Sequence, residues 1–156
     1  MLMKESLRFA FAVNQGHAFE KKHFGEAERF LIYEHRDDEL SMIDERQNPF
    51  IQSGEEFLHG SPRKGRAIIS FLNELDVDVL VAREFGRNLH MVREHFIPVI
   101  ISATCIGEVT EVLLKHIYWL KEEKRKTVNH FGLYQINLGI LKMPGKYDKN
   151  RLQEEQ

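Results

Sequence analysis

The sequence predicts an α/β fold with a mixed sheet of about five strands, an antiparallel meander followed by a βαβα segment, and flanking helices. Two observations support this prediction. Short runs with strand character come first along the chain, and runs with helical spacing then alternate with short apolar runs. Strands joined by tight turns pair antiparallel, whereas strands joined through helices pair in parallel by right-handed crossovers.

The meander is expected in the N-terminal part of the chain. Residues 7–13 place Leu7, Phe9, Phe11 and Val13 on one face and small Ala10 and Ala12 on the other, which suits a strand covered on both faces. Residues 29–34, with FLIY at their centre, and residues 40–46 should form the next strands, and the short polar segment between them favours a hairpin. Asn48-Pro49 ends the third of these strands, because proline lacks the amide donor that a ladder requires.

The pattern then becomes helical. Ile68, Phe71, Leu72 and Leu75 have the spacing of an apolar stripe on one helix. After it we expect a strand at 77–82, a brief helix at 86–94, a strand at 96–101 and one long helix striped from Val109 to Leu120. Acidic residues near the start of the long helix and basic residues near its end agree with the helix macrodipole.

The C-terminal part has a further segment with strand character. Residues 131–141 (FGLYQINLGIL) alternate in part, and they could add an edge strand to this chain's sheet or to a neighbour's in a homo-oligomer. Residues 146–156 are expected to be disordered. We therefore divide the chain into a domain at 1–125 and a C-terminal extension at 126–156.

Composition excludes several classes of function. The 156 residues carry a formal net charge of −2, which argues against broad electrostatic capture of nucleic acid but leaves room for a local basic patch. The single cysteine, Cys105, excludes an intrachain disulfide and fits a reducing compartment. The chain has neither the apolar core of a signal peptide nor a run of ~18 apolar residues. We expect a soluble cytoplasmic protein without a membrane or nucleic-acid partner.

Three loops should converge at the carboxyl edge of the parallel strands, where open sheets bind ligands. These loops span residues 14–25, 83–88 and 102–107. They supply His17, His23, Arg83, Arg87, Asn88, Thr104 and Cys105. Imidazole and thiolate are ligands for iron, zinc and copper, and arginines suit an anion.

Each of these residues also has a purely structural interpretation. His17 could be an exposed turn residue, Cys105 a small buried hydrophobe, and the two arginines merely solvated. Phe24 is expected to pack in the core, and His116 lies on the apolar stripe of the long helix. Neither a CxxC nor an HExxH spacing occurs, so the residues alone leave the metal site open.

The string HFGEAERFLIYE, residues 23–34, is the most informative part of the chain. It resembles the HFG-x-A-x-x-F-x-I-Y signature of the dinitrogenase iron-molybdenum cofactor biosynthesis family, the domain shared by NifX, NafY and the C-terminal part of NifB. Asn48-Pro49 matches the family's break after its third strand. Residues 65–88 and 96–117 resemble, in family order, its helix, strand and turn and then its last strand and helix.

The resemblance implies a ribonuclease H-like three-layer domain that binds or carries an iron-sulfur or iron-molybdenum-type cofactor, or its precursor, and is not an enzyme. In the family, the histidine of the signature is implicated in cofactor binding, and it corresponds to His23. With the loop residues above, the expected cofactor site comprises His23, Phe24, Gly25, Arg83, Arg87 and Asn88. The candidate metal ligands are His23, Cys105 and His17.

The implied partners are the proteins that donate and receive the metallocluster. Binding would be transient, so protein purified in air would carry no cofactor. The chain departs from the family at Arg87-Asn88, where proline-asparagine is frequent, and Cys105 corresponds to no motif residue.

The alternatives are a nuclease of the same fold and a ligand-free interaction or regulatory module. A nuclease of the same fold needs clustered carboxylates, the first of them on the opening strand, and residues 7–13 contain no acid. A ligand-free interaction or regulatory module stays open. Anaerobic purification after co-expression with cluster-assembly proteins would separate carrier from module through bound iron.

Overall fold

A computed structural model describes residues 6–51, 61–102, 105–126, 128–137 and 139–143. Within these ranges the chain forms one mixed sheet of seven strands in the order β3-β2-β1-β4-β5-β6-β7. The strands are β1 (Leu7–Val13), β2 (Arg29–Arg36), β3 (Glu39–Gln47), β4 (Val79–Ala82), β5 (Ile97–Ile101), β6 (Tyr134–Asn137) and β7 (Ile140–Lys142). The α-helices are α1 (Pro62–Glu74), α2 (Leu89–Val92), α3 (Ile106–Lys115) and α4 (Ile117–Arg125).

The antiparallel meander is confirmed. β1 pairs antiparallel with β2, and β2 pairs antiparallel with β3. The hairpin between β2 and β3 turns at Asp37 and Asp38, whose φ values are +53° and +64°. Two successive positive φ angles give the twist that a tight hairpin needs, and both strands therefore continue slightly past their predicted bounds.

The helix-linked strands pair in parallel, as predicted. β1 pairs with β4, and β4 pairs with β5, each in parallel register. β1 is thus the strand at which the sheet changes from antiparallel to parallel pairing. The carboxyl ends of β1 and β4 lie side by side, which brings the loops that follow them to one edge.

The predicted strand count of about five was too low. Residues 131–141 form two strands, because a turn with Gly139 at φ +76° divides a segment that the partial alternation presented as one. β6 pairs in parallel with β5, and β7 pairs antiparallel with β6. The segment therefore extends this chain's own sheet, and Tyr134 is fully buried beside α4. The residues predicted to be disordered, 146–156, lie outside the described ranges.

The predicted long helix is two helices. His116, with φ −114° and ψ 24°, interrupts the helix between α3 and α4, and its ring stacks on Trp119 at 4.5 Å between centroids. The brief predicted helix at 86–94 is a 3₁₀ turn, Gly86–Asn88, followed by the single turn of α2.

Helices cover both faces of the sheet. Phe9, Phe11 and the apolar residues of α3 and α4 form the core on one face. Ala10, Ala12 and the apolar residues of α1 form the core on the other. Ala10 and Ala12, the small face of β1, belong to the same core as the apolar residues of α1, as their alternation predicted. The more specific ribonuclease H-like assignment stays a prediction from the resemblance. Within the described ranges, no helix has the length and apolar character that a membrane span requires.

The burial of His35 on β2 leads us to predict how the free energy of unfolding changes with pH. His35 is 3% exposed, and neither of its ring nitrogens has a hydrogen-bond partner in the described part of the chain. Burial lowers the pKa of His35 and nearby Lys121 lowers it further, whereas Asp38 raises it. The unfolded chain therefore takes up this proton at a higher pH than the folded protein. The contribution of His35 to the free energy of unfolding is therefore fully present above about pH 6.5, and it is lost as the pH falls toward the lowered pKa.

We expect His35→Leu to reduce this acid-induced loss of stability, measured by urea unfolding at a series of pH values from about 7.5 down to about 5. The control is His90→Gln, which changes an exposed histidine on α2 and should keep the parent's pH dependence. Identical pH profiles for the parent and His35→Leu would contradict the assignment.

Candidate functional site

The HFG turn, His23 to Gly25, lies between β1 and β2 and is anchored by an aromatic stack. His23 has extended backbone, with φ −63° and ψ 155°, and Phe24–Glu26 forms one turn of 3₁₀ helix after it. The buried ring of Phe24 stacks on Phe30 at 5.0 Å and on Phe85 at 5.6 Å between centroids. The predicted core position of Phe24 is confirmed, and its ring joins the turn to β2 and to the segment after β4.

Hydrogen bonds fix the backbone of the same turn. The buried side-chain amide of Asn48 donates to the carbonyl oxygens of Gly25, at 3.0 Å, and Ala27, at 2.8 Å. The backbone amide of Phe24 donates to the carbonyl oxygen of Glu84 at 2.8 Å. The sequence presented Asn48 only as the end of a strand. In the fold it clamps the turn, a role that needs the meander to bring residue 48 back beside residue 25.

Gly86 provides the surface on which the His23 ring lies. A β-carbon built on Gly86 would lie 2.6 Å from His23 Nδ1, and Gly86 also has φ +80°. Both the backbone conformation and the contact therefore require glycine at this position. The other ring nitrogen, Nε2, lies 3.4 Å from a carboxylate oxygen of Glu84, and the side chain of His23 is 46% exposed. One edge of the ring thus lies against Gly86, and the other faces the exposed carboxylate of Glu84.

A cleft opens between the HFG turn, the first turns of α1 and the 3₁₀ turn Gly86–Asn88. It brings together five of the predicted site residues: His23, Phe24, Gly25, Arg87 and Asn88. Gly25 allows α1 to approach the turn, since a β-carbon there would lie 2.9 Å from Ile68 Cδ1. Asn88 donates from Nδ2 to the carbonyl oxygen of Ser61 at 3.0 Å, which ties the cleft to the start of α1.

Lys64 is one of the residues of this cleft that sequence reasoning missed. It lies on α1, lines the cleft and is only 4% exposed. Burial lowers the pKa of its ammonium group, and the nearby charge of Glu26 acts in the opposite direction. Lys64, Ile68 and Leu72 follow the i, i+4, i+8 spacing of one helix face. That spacing was the available signal, because it places a lysine on the buried stripe.

Two of the predicted metal ligands lie elsewhere. The loop after β1 folds back through an isolated bridge between Val13 and Phe19, and His17 Nε2 lies 3.1 Å from Glu45 on β3. Cys105 is exposed, not buried, and precedes α3, which packs on the opposite face of the sheet from α1. His17, His23 and Cys105 do not form one ligand set. Among the residues that the structure describes, no group of three or more His, Cys, Asp or Glu side chains could hold a metal ion.

The other predicted loop residues also divide into those at the cleft and those away from it. Arg83 directly follows β4 and is half-buried, but it is not among the residues that line the cleft. Arg87 is exposed at the cleft. Thr104 lies outside the described residues.

A family model described as dinitrogenase iron-molybdenum cofactor matches residues 5–117. The chain belongs to the dinitrogenase iron-molybdenum cofactor family. The matched span includes the HFG turn, Asn48, α1 and the 3₁₀ turn at Gly86, and thus every residue named at the cleft. It ends before β6 and β7. A search of the curated proteins found no match to this chain. Family membership gives the protein a metallocluster-related role and confirms the family inferred from HFGEAERFLIYE.

The clamp formed by Asn48 can be tested by mutation. Asn48→Ala leaves the carbonyl oxygens of Gly25 and Ala27 without their amide donor. We expect the free energy of unfolding to fall by about 1–3 kcal/mol, the cost of unsatisfied buried polar groups. Urea unfolding measures this change. Asn73→Ala, at an exposed position of α1, is the control and should leave stability unchanged or slightly raised. Equal stability of Asn48→Ala and the parent would show that the clamp is dispensable.

Proposed function

We propose that this protein is a non-enzymatic carrier of an iron-sulfur or iron-molybdenum-type cofactor, or of its precursor, in metallocluster assembly in the cytoplasm. One observation supports this proposal above the others. In a member of this family, the His23 ring lies against Gly86 and its half-exposed side chain lines a cleft, with Nε2 3.4 Å from a carboxylate oxygen of Glu84. A neutral imidazole in that position can donate an electron pair to iron.

The ligand count of the cleft suits a preassembled cluster. His23 offers a single imidazole, and a cluster that brings its own sulfides needs few further ligands from the protein. Histidine does serve as an iron ligand in some iron-sulfur centres. A single protein ligand also favours release, because a recipient has only one bond to replace. This arrangement supports transient carriage from a donor protein to a recipient protein.

The cleft also suits the charge and surface of such a cargo. Sulfide-rich clusters carry negative charge, and Arg87 is an exposed cation at the cleft. Phe24 and Phe85 are buried at its floor, where they exclude water from one side. The proposal assigns ligation to His23 and does not require His17 or Cys105, which lie outside the cleft.

The central prediction concerns His23→Ala. The side chain is half-exposed in a surface turn, so its loss should cost under ~1 kcal/mol and leave the melting temperature within a few degrees of the parent's. The amount of iron retained after anaerobic co-expression with cluster-assembly proteins should fall sharply. Among the described residues that line the cleft, His23 is the only one with an imidazole, and this variant lacks it. Iron and sulfide analysis with absorption spectroscopy measures the loss.

The matched control is His130→Ala, which changes another half-exposed histidine in an HFG triplet, paired with Glu94 at 3.7 Å. This variant should retain as much iron as the parent. If His23→Ala unfolds the protein, the residue is a structural turn histidine. Full retention of iron by His23→Ala would remove His23 from the site. A parent that retains no iron would instead favour the ligand-free interaction module.

A further inference from the structure

Lys64 is a buried cation whose charge the fold compensates only in part. Lys64 is 4% exposed, and its Nζ takes part in no hydrogen bond or ion pair within the described ranges. The carboxylate of Glu26 acts on its charge from nearby. An ammonium group removed from water is costly unless a partner satisfies it.

The position of Lys64 along α1 adds to this cost. It lies in the first turn of a 13-residue helix, and its backbone amide is capped by Ser61 Oγ at 3.1 Å. The positive end of the helix macrodipole disfavours a cation there and favours an anion. Burial and position therefore both disfavour the charge in the free protein. A negatively charged group placed in the cleft would relieve both.

The side chain extends toward the cleft and not away from it. Lys64 Cε lies 3.8 Å from the position of a β-carbon built on Gly25, in the HFG turn. Lys64 also lines the same cleft as His23 and Arg87. Lys64 thus lines the cleft as a buried residue, whereas the side chain of His23 is half-exposed.

We infer that Lys64 is the anion-binding group of the cleft and that it binds a compact anion with sulfur at its surface. The sulfur preference follows from the apolar surroundings. Phe24, Phe85 and Ile68 line the cleft beside Lys64. These apolar side chains cannot replace the hydrogen bonds that a strongly hydrated oxyanion would lose with its water. Sulfur is softer and more weakly hydrated than oxygen, so an anion with sulfur at its surface loses less on entering an apolar cleft. This inference rests on the proposed function, because it names the chemistry by which the same cleft recognises its cargo.

The test uses iron-free anions of equal charge and similar shape, thiosulfate and sulfate, titrated into the full chain at constant ionic strength and followed by amide chemical shifts. The parent should bind thiosulfate more tightly than sulfate, with shifts around Gly25, Lys64 and Gly86. Lys64→Met should weaken thiosulfate binding about ten- to a hundredfold, the loss expected for one charge-assisted contact. Lys64→Gln keeps a polar side chain without the charge and should show the same loss.

The matched control is Arg66→Met, which removes the same charge from an exposed position of the same helix outside the cleft. It should bind thiosulfate as the parent does. Lys64→Met should also unfold at an equal or higher urea concentration than the parent, because a buried charge that Glu26 compensates only in part has been replaced by an apolar side chain. A structural role for Lys64 would instead lower that midpoint in both Lys64 variants.

Three results would overturn the inference: no thiosulfate binding by the parent, equal binding by the parent and both Lys64 variants, or lower unfolding midpoints in both variants. Sulfate binding as tight as thiosulfate binding would overturn the sulfur preference. Because the probes contain no iron, the two proposals fail separately. A parent that binds thiosulfate through Lys64 but retains no iron contradicts the carrier function alone.

Discussion

The two hydrogen bonds from the Asn48 amide to the backbone of the HFG turn are the interaction on which the site depends. They hold the carbonyl oxygens of Gly25 and Ala27, and the Phe24 ring anchors the same turn between Phe30 and Phe85. Because the turn is held both at its backbone and by its aromatic ring, its first residue, His23, has little conformational freedom. His23 is therefore presented with one ring edge against Gly86 and with Nε2 beside the exposed carboxylate of Glu84.

The cleft combines a rigid floor with an open rim. The floor belongs to the core on the α1 face of the sheet, where Phe24 and Phe85 are buried. The rim carries His23 and Arg87, which are partly or largely exposed. A carrier needs both properties, because its cargo must be recognised and then surrendered. The site lies where β1 pairs antiparallel on one side and parallel on the other, so that segments from distant parts of the chain meet.

The sequence predicted the features that depend on local pattern and missed those that depend on packing. The bounds of β1 and the β2–β3 hairpin follow from alternation and turn residues, and both are confirmed. His116 interrupts a continuous apolar stripe, and Gly139 divides one alternating segment into two strands, so each pattern suggested one element too few. His17 and Cys105 have the chemistry of ligands, but loop folding and the opposite sheet face separate them from His23. The roles of Asn48 and Lys64 arise only when distant segments come together.

Direct detection of an imidazole bound to iron tests the central claim, that His23 ligates the cargo. The full chain would be labelled with ¹⁵N-histidine, loaded with cluster anaerobically and studied in a paramagnetic state by pulsed electron paramagnetic resonance. The account predicts a hyperfine coupling from one histidine nitrogen, which persists unchanged in His17→Ala and His130→Ala. A loaded parent without such a coupling, or a coupling that disappears in His17→Ala, would contradict the account.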